Sequence, residues 1–222
     1  MPTTLSQTPD APAAQPRRLK IYAGIGSRET PKEMLDLFEQ VAYALGMRGF
    51  ICRSGGADGA DAAFEAGARR AMAEGFGQLE LFLPWQGFND RQSIYCNPPA
   101  EATEIASKLH PGWARLSQGP RKLMARNAQQ IMGPSLSLPS TFVLCWTPDG
   151  CVDGATRTRA TGGTGQAIAH ASGLGIPVYN AQRPDHLGRI VSFLEARAIG
   201  KPVSEGQQAT GDGAQRASAL RI

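Results

Sequence analysis

Short apolar runs alternate with amphipathic segments along most of this chain, and no other feature of the sequence restricts its fold as strongly. Leu19–Gly24 is a short apolar run that ends in glycine, and Pro31 then opens a stretch whose apolar residues recur every three or four positions. Four more apolar runs follow, at Phe50–Cys52, Leu79–Leu83, Thr141–Trp146 and Ile176–Tyr179. Strands that alternate with helices form parallel sheets. The sequence therefore predicts an α/β fold, a parallel sheet with helices on both faces.

The segments between the apolar runs predict helices. Thr30 is the expected N-cap before Pro31, and Glu33 completes a capping box three residues after the cap. This first helix is expected to end at Gly49. The other predicted helices are an alanine-rich one that reaches Ala73 and those at Glu101–Leu109, Arg121–Met132, Thr164–Ser172 and Asp185–Ala198. Residues 85–98 show no regular period and are predicted to be irregular.

The two ends of the chain differ in composition from its middle. Residues 1–18 are rich in Thr, Pro, Ala and Gln and lack the basic start and apolar run of a secretory signal. The chain becomes polar and glycine-rich again at residues 200–222. We therefore predict a disordered N-terminal segment at 1–18, one Rossmann-like domain at 19–199 and a flexible tail at 200–222.

Charge and cysteine content narrow the classes of partner. The formal net charge is +4 and the pI is about 9.0, which favours phosphate-bearing partners without establishing nucleic-acid binding. No apolar run approaches the roughly 20 residues of a membrane span. The four cysteines form no CxxC pair, and the three histidines show no ligand-like spacing to them. We expect a cytoplasmic protein with reduced thiols and with no metal, cofactor or membrane contact.

Three glycine-rich loops follow predicted strands and open predicted helices. They are Gly24–Pro31, Ser54–Asp61 and Thr161–Gln166. Glycine lets the backbone approach an oxyanion closely, and the unpaired N–H groups at a helix start favour negative charge. A single loop of this kind is often only a turn, but ligands of parallel sheets bind beyond the carboxyl ends of the strands, where all three lie. Together they predict a pocket for a phosphate or a nucleotide.

Polar side chains beside these loops are candidate ligand contacts. Ser27 and Thr164 offer hydroxyl donors, and Arg28 is either a phosphate contact or an ordinary surface arginine. Asp58 and Asp61 fall in the first turn of a helix, where they either interact with the helix dipole or bind ribose hydroxyls.

One predicted helix and two tryptophans extend this set of candidates. The helix carries Arg121, Lys122, Arg126 and Asn127, and its face either presents two positive groups to the pocket or is simply solvated. Trp85 and Trp113 either stack on a base or cover the sheet edge. The candidate ligand-binding residues are Gly26, Ser27, Arg28, Ser54, Gly55, Gly56, Asp58, Asp61, Trp85, Arg121, Arg126, Asn127, Gly162, Gly163, Thr164 and Gly165.

Several of these motifs resemble the SLOG superfamily, which includes the DNA-processing protein A family, the "lonely guy" phosphoribohydrolases and molybdenum-cofactor carrier proteins. The matching residues are Gly26-Ser27-Arg28, Gly55–Asp61, Leu83-Pro84-Trp85, Arg126-Asn127 and Gly162–Gly165. The likeness is greatest to small stand-alone members and runs from about residue 19 to 180. It implies a Rossmann-like fold whose glycine loops hold a nucleotide or a derivative of one. We also expect a homo-oligomer.

The third loop departs from the pattern of the phosphoribohydrolases. Those enzymes carry Pro-Gly-Gly-x-Gly-Thr-x-x-Glu, whereas Ala169 stands here where the catalytic glutamate would be. A carboxylate stabilises the cationic sugar in that reaction, so its loss removes a major electrostatic contribution. The side chains that could take part in catalysis instead are Arg126, Glu29, Asp58, Asp61 and Glu65.

Three functions therefore follow from the sequence. The first is binding of a nucleotide or a nucleotide-derived phosphate ligand in the pocket of glycine-rich loops. The second is hydrolysis of a nucleotide N-glycosidic bond, so whether the protein is an enzyme stays open. The third is DNA binding like that of DNA-processing protein A, although the chain lacks the long extra domain of those proteins.

Overall fold

The computed structural model describes residues 19–198, so the predictions for 1–18 and 200–222 lie outside the described residues. Every apolar run that was predicted to be a strand overlaps one. The strands are β1 (Ile21–Gly24), β2 (Ile51–Ser54), β3 (Gln78–Leu83), β4 (Tyr95–Cys96), β5 (Phe142–Cys145) and β6 (Val178–Asn180). The prediction that residues 85–98 are irregular was wrong at β4, because a two-residue strand is too short to show a period.

All six strands are parallel and form one sheet in the order β4-β3-β2-β1-β5-β6. β1 lies in the interior of the sheet, where Tyr22 is in register with Cys52 of β2 on one side and Phe142 of β5 on the other. The chain first moves outward from β1 to β4 and then returns to the other side of β1 with β5. The strand order thus reverses between β1 and β5.

Helices cover both faces of the sheet, as predicted, and within residues 19–198 there are three on each face. The helices are α1 (Lys32–Gly46), α2 (Ala60–Ala73), α3 (Ala100–Leu109), α4 (Gln118–Met132), α5 (Thr164–Gly173) and α6 (Pro184–Ala198). α1 packs against α2 and α6 on one face, while α4 packs against α3 and α5 on the other. Two short helical turns, Phe88–Asp90 and Trp113–Arg115, lie in the connections. The fold is therefore an α/β, Rossmann-like parallel sheet with two helical layers.

The alternation of side chains along the strands builds a core on each side of the sheet. In β1, Tyr22 packs with Phe38 and Phe64 of the α1–α2 layer. The next residue, Ala23, faces Ile131 and the α4–α5 layer. The rings of Phe38 and Phe64 stack with their centroids 4.5 Å apart. Burial of each large apolar side chain contributes about 1.5–3 kcal/mol, so both layers are firmly attached to the strands that carry the loops.

The capping box predicted for α1 does not form. Pro31 is the N-cap residue, and no side chain caps the helix. The hydroxyl group of Thr30 instead donates to the carbonyl oxygen of Ser27 at 2.7 Å. Threonine hydroxyls readily bond to nearby backbone groups outside the helix, and here that bond stabilises the turn of the first glycine loop.

The thiols are unpaired, and the two predicted in strands are deeply buried. Cys52 lies in β2 and Cys145 in β5, and all four cysteines are free. Burial raises the pKa of Cys52 to about 12, so this thiol is unreactive at neutral pH. Within residues 19–198, no three His, Cys, Asp or Glu side chains converge as metal ligands would. In the same part of the chain, no helix is long and apolar enough to cross a bilayer.

Candidate functional site

A cleft of about 550 Å³ lies beyond the carboxyl ends of β1 and β5. Residues 25–29, which follow β1, form one part of its wall, and residues 159–164, which lead into α5, form another. The remainder comes from one side of α4, from Ala57 and Asp61 of the second glycine loop and α2, and from Ala167 of α5. Open α/β sheets bind ligands at the point where the strand order reverses, and this cleft occupies that point.

The first glycine loop is held to the sheet by its backbone. The N–H groups of Ile25 and Ser27 donate to the carbonyl oxygens of Leu144 and Trp146, at 3.1 and 3.2 Å, which extends the pairing of β1 with β5. The hydroxyl oxygen of Ser27 accepts a hydrogen bond from the N–H of Glu29 at 3.1 Å. The hydroxyl hydrogen of Ser27 stays available, so this side chain can donate to a ligand in the cleft.

The third glycine loop brings the N-terminus of α5 to the cleft. Gly162 and Gly163 are exposed, and the side chain of Asn127 fixes the loop by donating to the carbonyl oxygen of Gly163 at 3.2 Å. The N–H groups of Gly163 and Thr164 make no hydrogen bond to any residue between 19 and 198. Free N–H groups at the positive end of a ten-residue helix attract an anion.

A buried ion pair forms the floor of the cleft. The Nη1 atom of Arg126 lies 3.0 Å from Oδ2 of Asp61 and 2.8 Å from Oε1 of Gln130. Both charged side chains are almost fully buried, at 6% and 4% exposed. Burial raises the pKa of Asp61, although Arg126 opposes this, and burial lowers the pKa of Arg126. Burial thus disfavours the charged form of both groups, and their mutual attraction favours it.

The second glycine loop packs against this ion pair, and its glycines do not line the cleft. A Cβ atom on Gly55 would lie 1.3 Å from Nη1 of Arg126, so only glycine leaves room for the guanidinium. The backbone N–H groups of Ala57 and Gly55 stabilise the ionised carboxyl group of Asp61. The loop does surround an anion, but the anion is the carboxylate of the protein itself.

Asp149 anchors the third loop and was missed in the sequence analysis. Its carboxylate accepts hydrogen bonds from the hydroxyls of Thr158, at 2.6 Å, and of Thr161. The N–H of Cys151 also donates to it, at 3.4 Å. Partial burial alone would raise the pKa of Asp149, but these hydrogen bonds outweigh it and lower the pKa to about 2. Nothing in the sequence pattern marks this residue, because its partners lie up to twelve positions away in an aperiodic loop.

We expect Asp149→Asn to lower the free energy of unfolding by about 1–2 kcal/mol at neutral pH, the net value of charge-assisted hydrogen bonds at a partly exposed site. The pKa of Asp149 is depressed in the folded state, so its contribution is fully present above the unfolded value of about 4 and is lost as the pH falls toward about 2. Urea unfolding at about pH 7 and about pH 3 should therefore show the difference between variant and wild type narrowing in acid.

The matched control for this variant is Asp36→Asn. Asp36 forms an exposed ion pair with Lys32, so its replacement should change the free energy of unfolding very little. A loss at Asp149 no larger than the loss at Asp36 would contradict the anchoring role.

The structure brings most of the predicted ligand-binding residues together around the cleft. Those that line it are Gly26, Ser27, Arg28, Asp61, Arg126, Asn127, Gly162, Gly163 and Thr164, and the catalytic candidate Glu29 lies among them. They come from different parts of the chain and share this position only because β1 and β5 are neighbours in the sheet.

The remaining candidates do not line the cleft, and four of them lie in or beside the second loop. Ser54 donates its hydroxyl to the carbonyl oxygen of Asp61, and Gly55 packs on Arg126. Gly56 lies against the side chains of Leu83 and Arg91. Asp58 is exposed and accepts a weak hydrogen bond, 3.4 Å long, from Asn89. Glu65, on α2, is bound to Arg69 and Arg91.

The last three candidates outside the cleft pack against other side chains. Gly165 lies beneath Arg157, and the ring of Trp85 meets Phe88 edge-on at 5.1 Å. The guanidinium of Arg121 lies over the ring of Trp113, 5.4 Å from its centroid. Lys122, its neighbour, donates to Asn97 at 3.4 Å. Arg121 therefore does not join Arg126 at the cleft, although they share α4.

Several residues of the cleft wall were absent from the predicted set. They are Ile25, Ala57, Leu123, Met124, Gln130, Arg159, Ala160, Thr161 and Ala167. Gln130 follows Arg126 by four positions on α4, so helical spacing could have identified it. Arg159 lies in the long polar loop before α5, where no periodicity distinguishes one arginine from another.

Comparison with known proteins adds little to this geometry. No protein-family model matches the chain, and no curated protein matches it in sequence. Among solved structures, DNA processing protein A from Streptococcus pneumoniae is similar, with a TM-score of 0.42 and 17% sequence identity over 81% of this chain and 56% of that chain. The chain thus spans little more than half the length of that protein. A likeness this distant carries no argument about function.

Proposed function

We propose that this protein binds a nucleotide or a nucleotide-derived phosphate ligand in the cleft at the β1–β5 switch point. One observation carries the proposal. Gly163 and Thr164, whose N–H groups have no partner among residues 19–198 and lie at the positive end of α5, line the same cleft as Ser27 and Arg28 of the first glycine loop. Hydrogen-bond donors from two separate strand-to-helix loops thereby converge on one space.

The size and the chemistry of the cleft suit a nucleotide. Small-molecule sites have volumes of about 300–1,000 Å³, and a cleft of about 550 Å³ lies within that range. Its wall combines apolar side chains, such as Leu123 and Met124, with polar donors. An apolar wall accepts a base or a sugar face, while the helix end accepts phosphate.

The phosphate contact can be tested by placing a charge at the helix end. Gly162 is exposed, has a φ of +61°, and a Cβ atom there would meet nothing within 4 Å. Asp and Asn both tolerate this backbone conformation, so Gly162→Asp and Gly162→Asn differ chiefly in charge. We expect the aspartate variant to bind nucleotides at least about tenfold more weakly than wild type at low salt, and the asparagine variant to stay within about threefold.

Isothermal titration calorimetry would measure these affinities against a panel of nucleoside monophosphates, cyclic nucleotides and ADP-ribose, with the corresponding nucleosides as controls. Binding that weakens with added salt and needs the phosphate would support the proposal. No binding by any member of the panel, or equal affinity for nucleosides and nucleotides, would contradict the proposed function.

The same titrated samples also decide the enzymatic alternative. Ala169 does not line the cleft, Asp61 is bound to Arg126, and Glu29 lies exposed at the rim. This arrangement favours binding without hydrolysis, and we propose the binding role on that basis. Free base or ribose phosphate, found by chromatography after incubation, would instead establish an N-glycosidic hydrolase.

Three further expectations remain proposals. The first is membership of the SLOG superfamily, which the arrangement of Gly26–Arg28 and Gly162–Thr164 around one cleft supports. The second is a cytoplasmic location, which the four free thiols support. The third is homo-oligomerisation. We do not extend the proposal to DNA, because the basic side chains of Arg121 and Lys122 are engaged with Trp113 and Asn97.

A further inference from the structure

Two arginines at the cleft have no acidic partner. Arg28, from the first glycine loop, and Arg159, from the loop before α5, both line the cleft and are both exposed. Neither forms an ion pair or a side-chain hydrogen bond with any residue between 19 and 198. Some other exposed basic side chains do form ion pairs, as Lys32 does with Asp36 and Lys108 with Glu104.

The charge on the cleft wall is therefore unbalanced near its mouth. The cleft is lined by three arginines and two carboxylates. One arginine, Arg126, and one carboxylate, Asp61, form an ion pair with each other at the floor. Burial lowers the pKa of Arg126, and the positive charge of Arg28 lowers it further, so the two guanidinium groups are close enough to repel each other. Glu29 is the remaining carboxylate of the wall, which also carries the two unpaired arginines.

These two arginines are additional to the phosphate site at the start of α5. The free N–H groups of Gly163 and Thr164 are sufficient to bind a single phosphate. Guanidinium groups bind phosphate through paired, charge-assisted hydrogen bonds, and two of them from different loops can hold a group that extends beyond the first phosphate. The cleft is large enough for a nucleotide with more than one phosphate.

We propose that the ligand of this cleft carries at least two linked phosphates, one at the N-terminus of α5 and the next between Arg28 and Arg159. The inference rests on the proposed nucleotide-binding function and narrows it to nucleoside diphosphates and their derivatives. The two arginines act as specificity-determining residues, because each adds affinity for the outer phosphate while the inner phosphate and the base bind elsewhere in the cleft.

Calorimetry with the mono- and diphosphates of adenosine, guanosine, cytidine and uridine tests the inference, with a chelator present to exclude metal-bridged binding. We expect at least one diphosphate to bind wild type about tenfold or more tightly than its monophosphate. In Arg28→Gln and in Arg159→Gln, that ratio should fall to about three or less, because the diphosphate loses more affinity than the monophosphate does.

Arg115→Gln is the matched control, because Arg115 is exposed and does not line the cleft. It changes the net charge equally and should leave the ratio intact. Equal affinities for mono- and diphosphates in wild type would overturn the inference while leaving the proposed function standing. A ratio that persists in both cleft variants, or falls equally in the Arg115 variant, would also overturn it. Absence of binding by any nucleotide would remove the proposed function, and the inference with it.

Discussion

Arg126→Met should lower the free energy of unfolding by about 3–5 kcal/mol at neutral pH, the usual cost of breaking a buried ion pair from one side. Methionine fills much of the volume of the arginine side chain, so the loss reports chiefly on charge. It leaves the carboxylate of Asp61, only 4% exposed, without its cation. Urea denaturation of the full chain measures the effect. The comparison holds where variant and wild type show the same slope of the free energy of unfolding against urea concentration.

The loss of stability in Arg126→Met should depend on pH, and the burial of Asp61 determines the direction of that dependence. Burial already raises the pKa of Asp61 in the wild type, and removal of Arg126 raises it further. A raised pKa means that the folded state holds the proton more tightly than the unfolded state, so stability falls as the pH rises above about 4 and through the folded pKa. Arg126→Met should therefore lie closer to wild type at about pH 5 than at about pH 8.

The double variant Asp61→Asn with Arg126→Met separates the buried charge from the loss of packing. It carries no unpaired carboxylate, so it should recover much of the stability and show little change between the two pH values. If Arg126→Met alone lowers the free energy of unfolding by less than about 1 kcal/mol, or by the same amount at both pH values, then Arg126 does not stabilise the buried charge of Asp61.

The sheet and its loops could be predicted because they depend on local patterns. Each apolar run predicts a strand, and a glycine-rich segment after a strand predicts a loop that leads into a helix. The strand-order reversal between β1 and β5 then places the Gly26–Arg28 and Gly162–Thr164 loops side by side, as the general rule for open α/β sheets requires. The strand order itself is a long-range property, which local sequence patterns do not predict.

The roles of individual residues could not be predicted, because they depend on contacts between distant segments. Gly55 looks like a phosphate-binding glycine in sequence, yet it makes room for a guanidinium that lies 71 positions further along the chain. Arg121 and Arg126 share a helix, but only Arg126 turns toward the sheet, while Arg121 meets Trp113. Thr30 has an ideal capping sequence and bonds to Ser27 instead. In each case a tertiary or loop contact outcompetes the local pattern.

Gly59→Ala should lower both the stability of the protein and its affinity for the ligand. Gly59 has φ +78° and ψ −129°, a backbone conformation that is essentially restricted to glycine. A Cβ atom there would lie 2.5 Å from the carbonyl oxygen of Ser27 and 2.7 Å from Cα of Arg28. Both neighbours are backbone atoms, which cannot rotate away, so the first glycine loop must move. Strain and overpacking together should cost about 2–5 kcal/mol.

Gly49→Ala isolates the backbone strain from the clash. Gly49 also has a positive φ, +77°, but a Cβ atom there would meet nothing within 4 Å, and the residue lies between α1 and β2, outside the cleft wall. It should cost only about 1 kcal/mol and leave nucleotide affinity unchanged. Gly59→Ala should weaken that affinity by about tenfold or more, because displacing Ser27 and Arg28 separates the first loop from the N-terminus of α5. Equal losses of stability in the two variants, or full affinity in Gly59→Ala, would show that the contact between Gly59 and the first loop does not set the shape of the cleft.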